Sequence, residues 1–162
     1  MLFRSGGIIP IAACVARKDL DVCGDFAIGH YTHEKNPATA RAALATIDVI
    51  EEEGLVERAE ELGNYAKARL EQNCSDCAIV GDIRGRGLMF GVEIVNNRET
   101  KEEGRDLAEM IYYECLEKGL SFKISGGCVL TLSPPLTIGR EDLDRALGIV
   151  EAAIARAAAS RA

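Results

Sequence analysis

One segment, residues 80–93, constrains the fold of this 162-residue chain more than any other. Its sequence, VGDIRGRGLMFGVE, holds four glycines and two arginines. Glycine loses more conformational freedom on folding than any other residue, so a cluster of glycines indicates unusual dihedral angles or close backbone approach. The alternation of side chains at 88–95 is typical of a half-buried strand. This Gly-Arg tract therefore predicts a tight turn that runs directly into a strand.

The first fifty residues predict a different kind of unit. A short apolar run at 10–17 predicts a buried strand, and 18–33 predict a loop. Asn36 and Pro37 then predict the start of a helix, with asparagine as the N-cap and proline at the first helical position, and Gly54 predicts its end.

From Leu55 onward the periodicity predicts the order α-β-α-β-β-α. The predicted helices are 55–71, 104–118 and 141–159, and the predicted strands are 88–95, 121–124 and 128–132. The residues expected to face the core are Val56, Ala59, Leu62, Ala66, Leu70, Leu107, Ile111, Cys115, Leu116, Leu143, Leu147, Val150 and Ile154. This order is typical of an α+β fold, in which helices cover one face of a small, mostly antiparallel sheet.

Composition excludes several functions. The net charge is −7 and the sequence has no basic cluster of five or more, which argues against a nucleic-acid surface. No apolar run approaches the ~20 residues of a membrane span, and the first residues lack the features of a signal peptide. A cytoplasmic location is therefore expected, and with it six cysteines that stay as thiols.

Cys74 and Cys77 form a C-x-x-C motif, which can be a redox pair or half of a zinc site. The sequence has no second C-x-x-C or histidine pair that would complete a metal site. We therefore interpret the motif as a surface loop between a helix and a strand.

Five motifs in fixed order give the chain a family resemblance. They are GGIIP at 6–10, THEKNP at 32–37, ALATIDVI at 43–50, the Gly-Arg tract, and LSPPLTI at 132–138. Together they resemble the C-terminal part of a class III (ω-type) aminotransferase, within the fold type I superfamily of enzymes that use pyridoxal phosphate (PLP). Dialkylglycine decarboxylase and some PLP lyases share this pattern.

The resemblance implies an architecture and a partner. Residues 1–36 are expected to be a remnant of the large PLP-binding domain, 37–54 a bridging helix, and 55–162 the small C-terminal domain. The family is usually a homodimer with active sites at the subunit interface, so we expect this chain to form a dimer or to pair with the missing large domain.

The resemblance also predicts that this chain lacks the catalytic lysine. PLP chemistry needs a lysine amine that bonds covalently to the cofactor. In the family this lysine lies about seven residues before the proline matched by Pro10, and that position here is Phe3. The first lysine in the chain is Lys18. We therefore assign no catalytic residue, and expect that the chain alone is inactive and binds no PLP.

Two threonines match functional positions of the family. Thr32 matches the threonine that binds the cofactor phosphate of the neighbouring subunit, and an ordinary turn before a helix is the alternative. Thr131 stands where many members have an arginine that grips the substrate carboxylate with two hydrogen bonds. Threonine cannot make that contact, which indicates a substrate that lacks an α-carboxylate or is held elsewhere. From its matching position we assign Thr131 to substrate binding, with a simple strand position as the alternative.

Three functions stay open at this stage. The first is part of an aminotransferase that moves an amino group between an amine or amino acid and an oxo acid. The second is part of a PLP lyase whose substrate has no α-carboxylate held by such an arginine, for example an amino-phosphonate. The third is a non-enzymatic, self-associating domain. Arg84 and Arg86 could bind a substrate, but we interpret them as structural residues that hold the tract in the sheet through hydrogen bonds to backbone carbonyls.

Overall fold

A computed structural model describes residues 4–5, 9–10, 17–20, 22, 24 and 36–161. The chain divides into two compact units, Met1–Gly54 and Leu55–Ala162. Phe3, Thr32 and most of the strand predicted at 10–17 lie outside the described residues.

Among its described residues, the first unit contains two short strands, a 3-10 helix at Lys18–Leu20 and one long α-helix. Strand β1 (Arg4–Ser5) pairs antiparallel with β2 (Ile9–Pro10). Helix α1 spans Pro37–Glu52, and the side chain of Asn36 accepts a hydrogen bond from the Ala38 amide at 2.9 Å. The predicted helix and its asparagine N-cap are therefore confirmed.

The second unit contains three helices and five strands. They are α2 (Leu55–Cys74), β3 (Val80–Arg86), β4 (Met89–Asn97), β5 (Glu102–Glu103), α3 (Arg105–Glu117), β6 (Lys123–Ser125), β7 (Val129–Leu132) and α4 (Arg140–Ala159). The main sheet has the order β3-β4-β7-β6, every pair in it is antiparallel, and β5 pairs with the end of β4. The predicted α+β class, with a mostly antiparallel sheet and covering helices, is confirmed.

The prediction of a turn in the first half of the Gly-Arg tract was wrong. Residues 80–86 form β3, which pairs with β4 along its length and has a bulge between Val80 and Asp82. The glycines mark close packing within the ladder, because a β-carbon on Gly85 would lie 2.5 Å from the Cα of Phe90. Pairing with β4 outweighs the low strand propensity of glycine.

The turn itself is shorter than predicted and contacts a helix. Arg86 pairs with Met89, so only two residues connect β3 to β4, and Gly87 among them has a φ of 53°. A β-carbon on Gly63, in α2, would lie 2.1 Å from the carbonyl oxygen of Gly87. The hairpin tip therefore lies directly on the backbone of α2.

The core lies between the helices and one face of the main sheet. Its sheet side chains include Ile83, Phe90, Val92, Ile94, Leu130 and Leu132. Its helix side chains include Leu62, Ala66, Leu70, Leu107, Ile111, Cys115, Leu143, Leu147, Val150 and Ile154. Two predicted core residues are exposed instead: Val56 is 63% exposed because Leu55 takes the buried position, and Leu116 is 44% exposed beside buried Cys115.

Candidate functional site

A groove of about 830 Å³ opens between the end of α3, the β6–β7 hairpin and α4. Its walls are mainly apolar, from side chains such as Phe122, Leu132 and Leu147, and its polar lining includes Thr131 and Lys123. This volume and composition are typical of small-molecule sites. The groove is therefore the candidate functional site of the second unit.

Thr131 is one of the polar residues that line the groove. It is half-buried in β7, and its side chain points away from the core because Leu130 and Leu132 on either side are buried. Its hydroxyl donates a hydrogen bond to the Ser125 hydroxyl at 2.9 Å, and Lys123 is its cross-strand partner. Sequence analysis missed Lys123 and Ser125, since the register that joins them to Thr131 depends on the exact length of the hairpin loop.

The two prolines after β7 fix the adjacent wall of the groove. Pro134 and Pro135 both line it, and the Pro135 carbonyl accepts a hydrogen bond from the Ile138 amide at 3.0 Å. Arg58 of α2 donates to the Ile138 carbonyl at 2.7 Å. Proline has a fixed φ and no amide donor, so this segment leaves the sheet in a defined direction.

Arg84 is held by side chains and not by the backbone carbonyls that the sequence suggested. Its Nη1 donates to Asp82 and to Glu93, both at 2.8 Å. The Glu93 carboxylate and then Asp82 raise the pKa of the Arg84 guanidinium above its ordinary value. With two carboxylates around it, Arg84 is already neutralised and is poorly suited to grip a substrate anion.

The C-x-x-C motif is not wholly a surface loop. Cys74 is the last residue of α2 and is buried, whereas Cys77 is half-buried in the following turn. Burial raises the pKa of the Cys74 thiol to about 11, which makes its thiolate scarce at neutral pH. Within the described residues, no group of three or more histidine, cysteine, aspartate or glutamate side chains is arranged to hold a metal ion.

The described lysines do not fit a covalent PLP site. A lysine that bonds to this cofactor is activated by desolvation or by a neighbouring cation, and none of the lysines described here is buried. Lys67 is paired with Glu71 on α2, Lys118 at the end of α3 is paired with Glu114, and Lys101 donates to the Gly81 carbonyl. Thr32, the predicted phosphate ligand, lies outside the described residues.

The fold places this molecule among the aminotransferases. A solved aminotransferase from Bacillus anthracis superimposes with a TM-score of 0.76 at 36% identity, covering 81% of this chain and 31% of that one. Residues 3–154 match the family described as Aminotransferase class-III. The chain belongs to the class III aminotransferase family, whose enzymes are PLP-dependent.

Two relatives show the range of chemistry in this family. The chain is 45% identical to the (R)-1-hydroxy-2-aminoethylphosphonate ammonia-lyase of Vibrio splendidus, over 93% of this chain and 32% of that protein. It is 44% identical to the leucine/methionine racemase of Thermococcus litoralis, over 93% of this chain and 34% of that protein. The chain thus spans about a third of the length of these relatives.

In the part of the chain that the structure describes, no helix is both long and apolar enough to cross a lipid bilayer.

Proposed function

We propose that this chain supplies the small domain of a PLP-dependent class III enzyme that acts on the amino group of its substrate. In this proposal residues 55–162 are the small domain, 37–54 the bridging helix, and 1–36 a remnant of the large PLP-binding domain. The single observation that carries this proposal is the family match over residues 3–154, together with a compact α+β unit that begins at Leu55.

Within this family we propose a lyase that releases ammonia from an amino-phosphonate or a related phosphate ester. Thr131 supports this choice, because it replaces an arginine suited to an α-carboxylate and offers a single hydroxyl in its place. The 45% identity to the Vibrio splendidus ammonia-lyase points in the same direction. Amino transfer to an oxo acid is the second candidate, and the match to the aminotransferase family favours it.

A chimera tests the choice between these reactions. Residues 36–154 of this chain replace the matching segment of the Vibrio splendidus ammonia-lyase, so that the relative keeps all of its own upstream residues. We expect the chimera to release ammonia from (R)-1-hydroxy-2-aminoethylphosphonate without an added oxo acid. A Thr131→Arg change in it should lower kcat/KM by about tenfold or more, since a bulky cation then replaces a small hydroxyl.

Thr100→Arg is the matched control. Thr100 lies in an exposed turn, and its amide, not its side chain, donates a hydrogen bond, to the Asn97 side chain. A chimera that forms product only when an oxo acid is present would support amino transfer and contradict the lyase. A folded chimera with neither activity contradicts both reactions.

We also propose that these 162 residues alone hold no covalently bound PLP. The phenylalanine at the matched lysine position and the lack of a buried lysine among the described residues support this. PLP supplies the electron-withdrawing chemistry in the complete enzyme.

Association with a second subunit is part of the same proposal. The side chains of Leu44, Ile47 and Val49 on α1 are 43–51% exposed. Exposed apolar side chains on one helix favour a partner surface, and we propose that this partner is a second copy of the chain or the large domain, in the cytoplasm.

A further inference from the structure

A row of four residues crosses the main sheet on the face opposite the core. Arg84 pairs with Gly91, Gly91 with Thr131, and Thr131 with Lys123. Adjacent strands lie about 4.8 Å apart, so Lys123 is next to Thr131, whereas Arg84 is two strands from it. Ser125 lies two residues after Lys123 on the same face, and its hydroxyl is bonded to that of Thr131.

The charges along this face differ sharply in how far they are compensated. Arg84 is paired with Asp82 and Glu93 on the β3–β4 side. Arg105, near the β6–β7 loop, is paired with Glu103 at 2.6 Å. Lys123 is exposed and takes part in no ion pair among the described residues.

Val129 separates the carboxylate of Glu93 from Ser125, whereas Glu93 is a diagonal neighbour of Thr131, whose direct partner is Gly91. Glu93 pairs with Val129, and Val129 pairs with Ser125. Glu93 is in addition held by Arg84 at 2.8 Å. An anion beside Thr131 therefore has the ammonium of Lys123, unpaired among the described residues, on the strand to one side, and on the strand to the other a glutamate that is ion-paired with Arg84.

The side chains of Lys123, Thr131 and Ser125 suit a tetrahedral oxyanion better than a planar carboxylate. Lysine acts as a point charge with three rotatable donors, whereas arginine offers the planar fork that matches a carboxylate. Thr131 and Ser125 each carry one hydroxyl donor: that of Ser125 can rotate toward a bound oxygen directly, and that of Thr131 does so by leaving its hydrogen bond to Ser125. Lys123 and Thr131 are also among the residues that line the groove.

We propose that Lys123, Thr131 and Ser125 form a binding subsite for the phosphonate or phosphate group of the substrate. Lys123 supplies the charge and the two hydroxyls donate hydrogen bonds. The identification of the ligand with the substrate rests on the proposed function, whereas the binding of the oxyanion by this chain does not.

Titration of the 162-residue chain with methylphosphonate, followed by amide NMR, tests the subsite. We expect saturable shifts centred on Lys123, Ser125 and Thr131. Lys123→Gln should weaken the affinity at least about fivefold, because one unit charge at contact distance contributes about that factor even in a water-like dielectric. Lys123→Arg, which keeps the charge, should bind within about threefold of the wild type. Lys67→Gln, the same charge change on α2, should leave binding unaltered.

Three results would overturn the subsite: no saturable shift at these amides, equal affinity in the Lys123→Gln protein, or acetate binding as tightly as methylphosphonate. The Lys123→Arg protein keeps the test decisive if the glutamine variant does not fold, because loss of binding with the charge retained also contradicts the proposal. If the chain binds methylphosphonate but the chimera is inactive, the subsite is supported and the lyase is rejected. If the chimera is active but the chain does not bind methylphosphonate, the lyase is supported and the subsite is rejected.

Discussion

Gly63 of α2 packs against the backbone of Gly87 at the hairpin tip. The absence of a β-carbon at Gly63 lets the Gly87 carbonyl reach the helix, and the positive φ of Gly87 lets the chain turn there. The tract was expected to hold unusual dihedral angles or close contacts, and both occur. Its partner Gly63 gave no signal in the sequence, because an isolated glycine within a helical pattern does not reveal what packs on it.

A pair of helical glycines tests this contact. Gly63→Ala should destabilise the protein by about 2 kcal/mol or more, because the new methyl would lie 2.1 Å from a backbone oxygen and the hairpin must shift. Gly148→Ala in α4 is the matched control, since its nearest neighbour is the end of Arg69 at 3.6 Å. Alanine there should raise stability by up to about 1 kcal/mol. The urea midpoints of the two variants measure these changes in stability. Equal shifts of the midpoint in the two variants would contradict the packing described.

Helices α2 and α4 are joined by a polar cluster as well as by the core. Arg69 donates to both oxygens of Glu151 at 2.8 and 2.9 Å and to Asp144 at 2.9 Å. Tyr65 donates a hydrogen bond to the same Asp144 carboxylate. Because the partners are about 80 residues apart in sequence, the cluster fixes how the last helix lies on the first helix of the unit.

The Tyr65 hydroxyl should control the titration of Asp144. Its hydrogen bond, followed by the charge of Arg140, lowers the pKa of Asp144 below the ordinary value. A lowered pKa in the folded state means that the associated stability is present above the unfolded pKa and is lost as pH falls through the folded pKa. Tyr65→Phe should therefore raise the Asp144 pKa and move the acid loss of stability to higher pH. Carboxyl NMR titration measures this, with Tyr113→Phe as the control, and an unchanged Asp144 pKa in the Tyr65→Phe protein would show that the hydroxyl is not the cause.

The helices were predicted well and the first strand of the sheet was not. Capping residues and apolar periodicity are local signals, so α1, α3 and α4 were predicted to within about one or two residues of their ends. Strand β3 depends on its pairing with β4. A glycine-rich sequence gives no local signal of such a contact between segments. The register of β6 against β7 also depends on contacts between segments, and this register places Lys123 and Ser125 beside Thr131.

At the scale of the whole molecule, the family could be recognised from ordered motifs, whereas the groove could not. The groove is formed by α3, the β6–β7 hairpin and α4, which come together only through tertiary packing. Thr131 was selected by its match to the family and lies in the groove wall. Its role in substrate binding, like that of Thr32 toward the cofactor phosphate, stays a prediction.

Covalent trapping tests most directly the claim that this chain supplies the small domain and does not anchor the cofactor. The 162-residue protein is incubated with PLP and reduced with borohydride, and its peptides are then mapped by mass spectrometry. We predict partial labelling scattered over exposed lysines such as Lys18 and Lys123, because none of the described lysines is desolvated. Stoichiometric labelling of one lysine, with the others unmodified, would contradict the account.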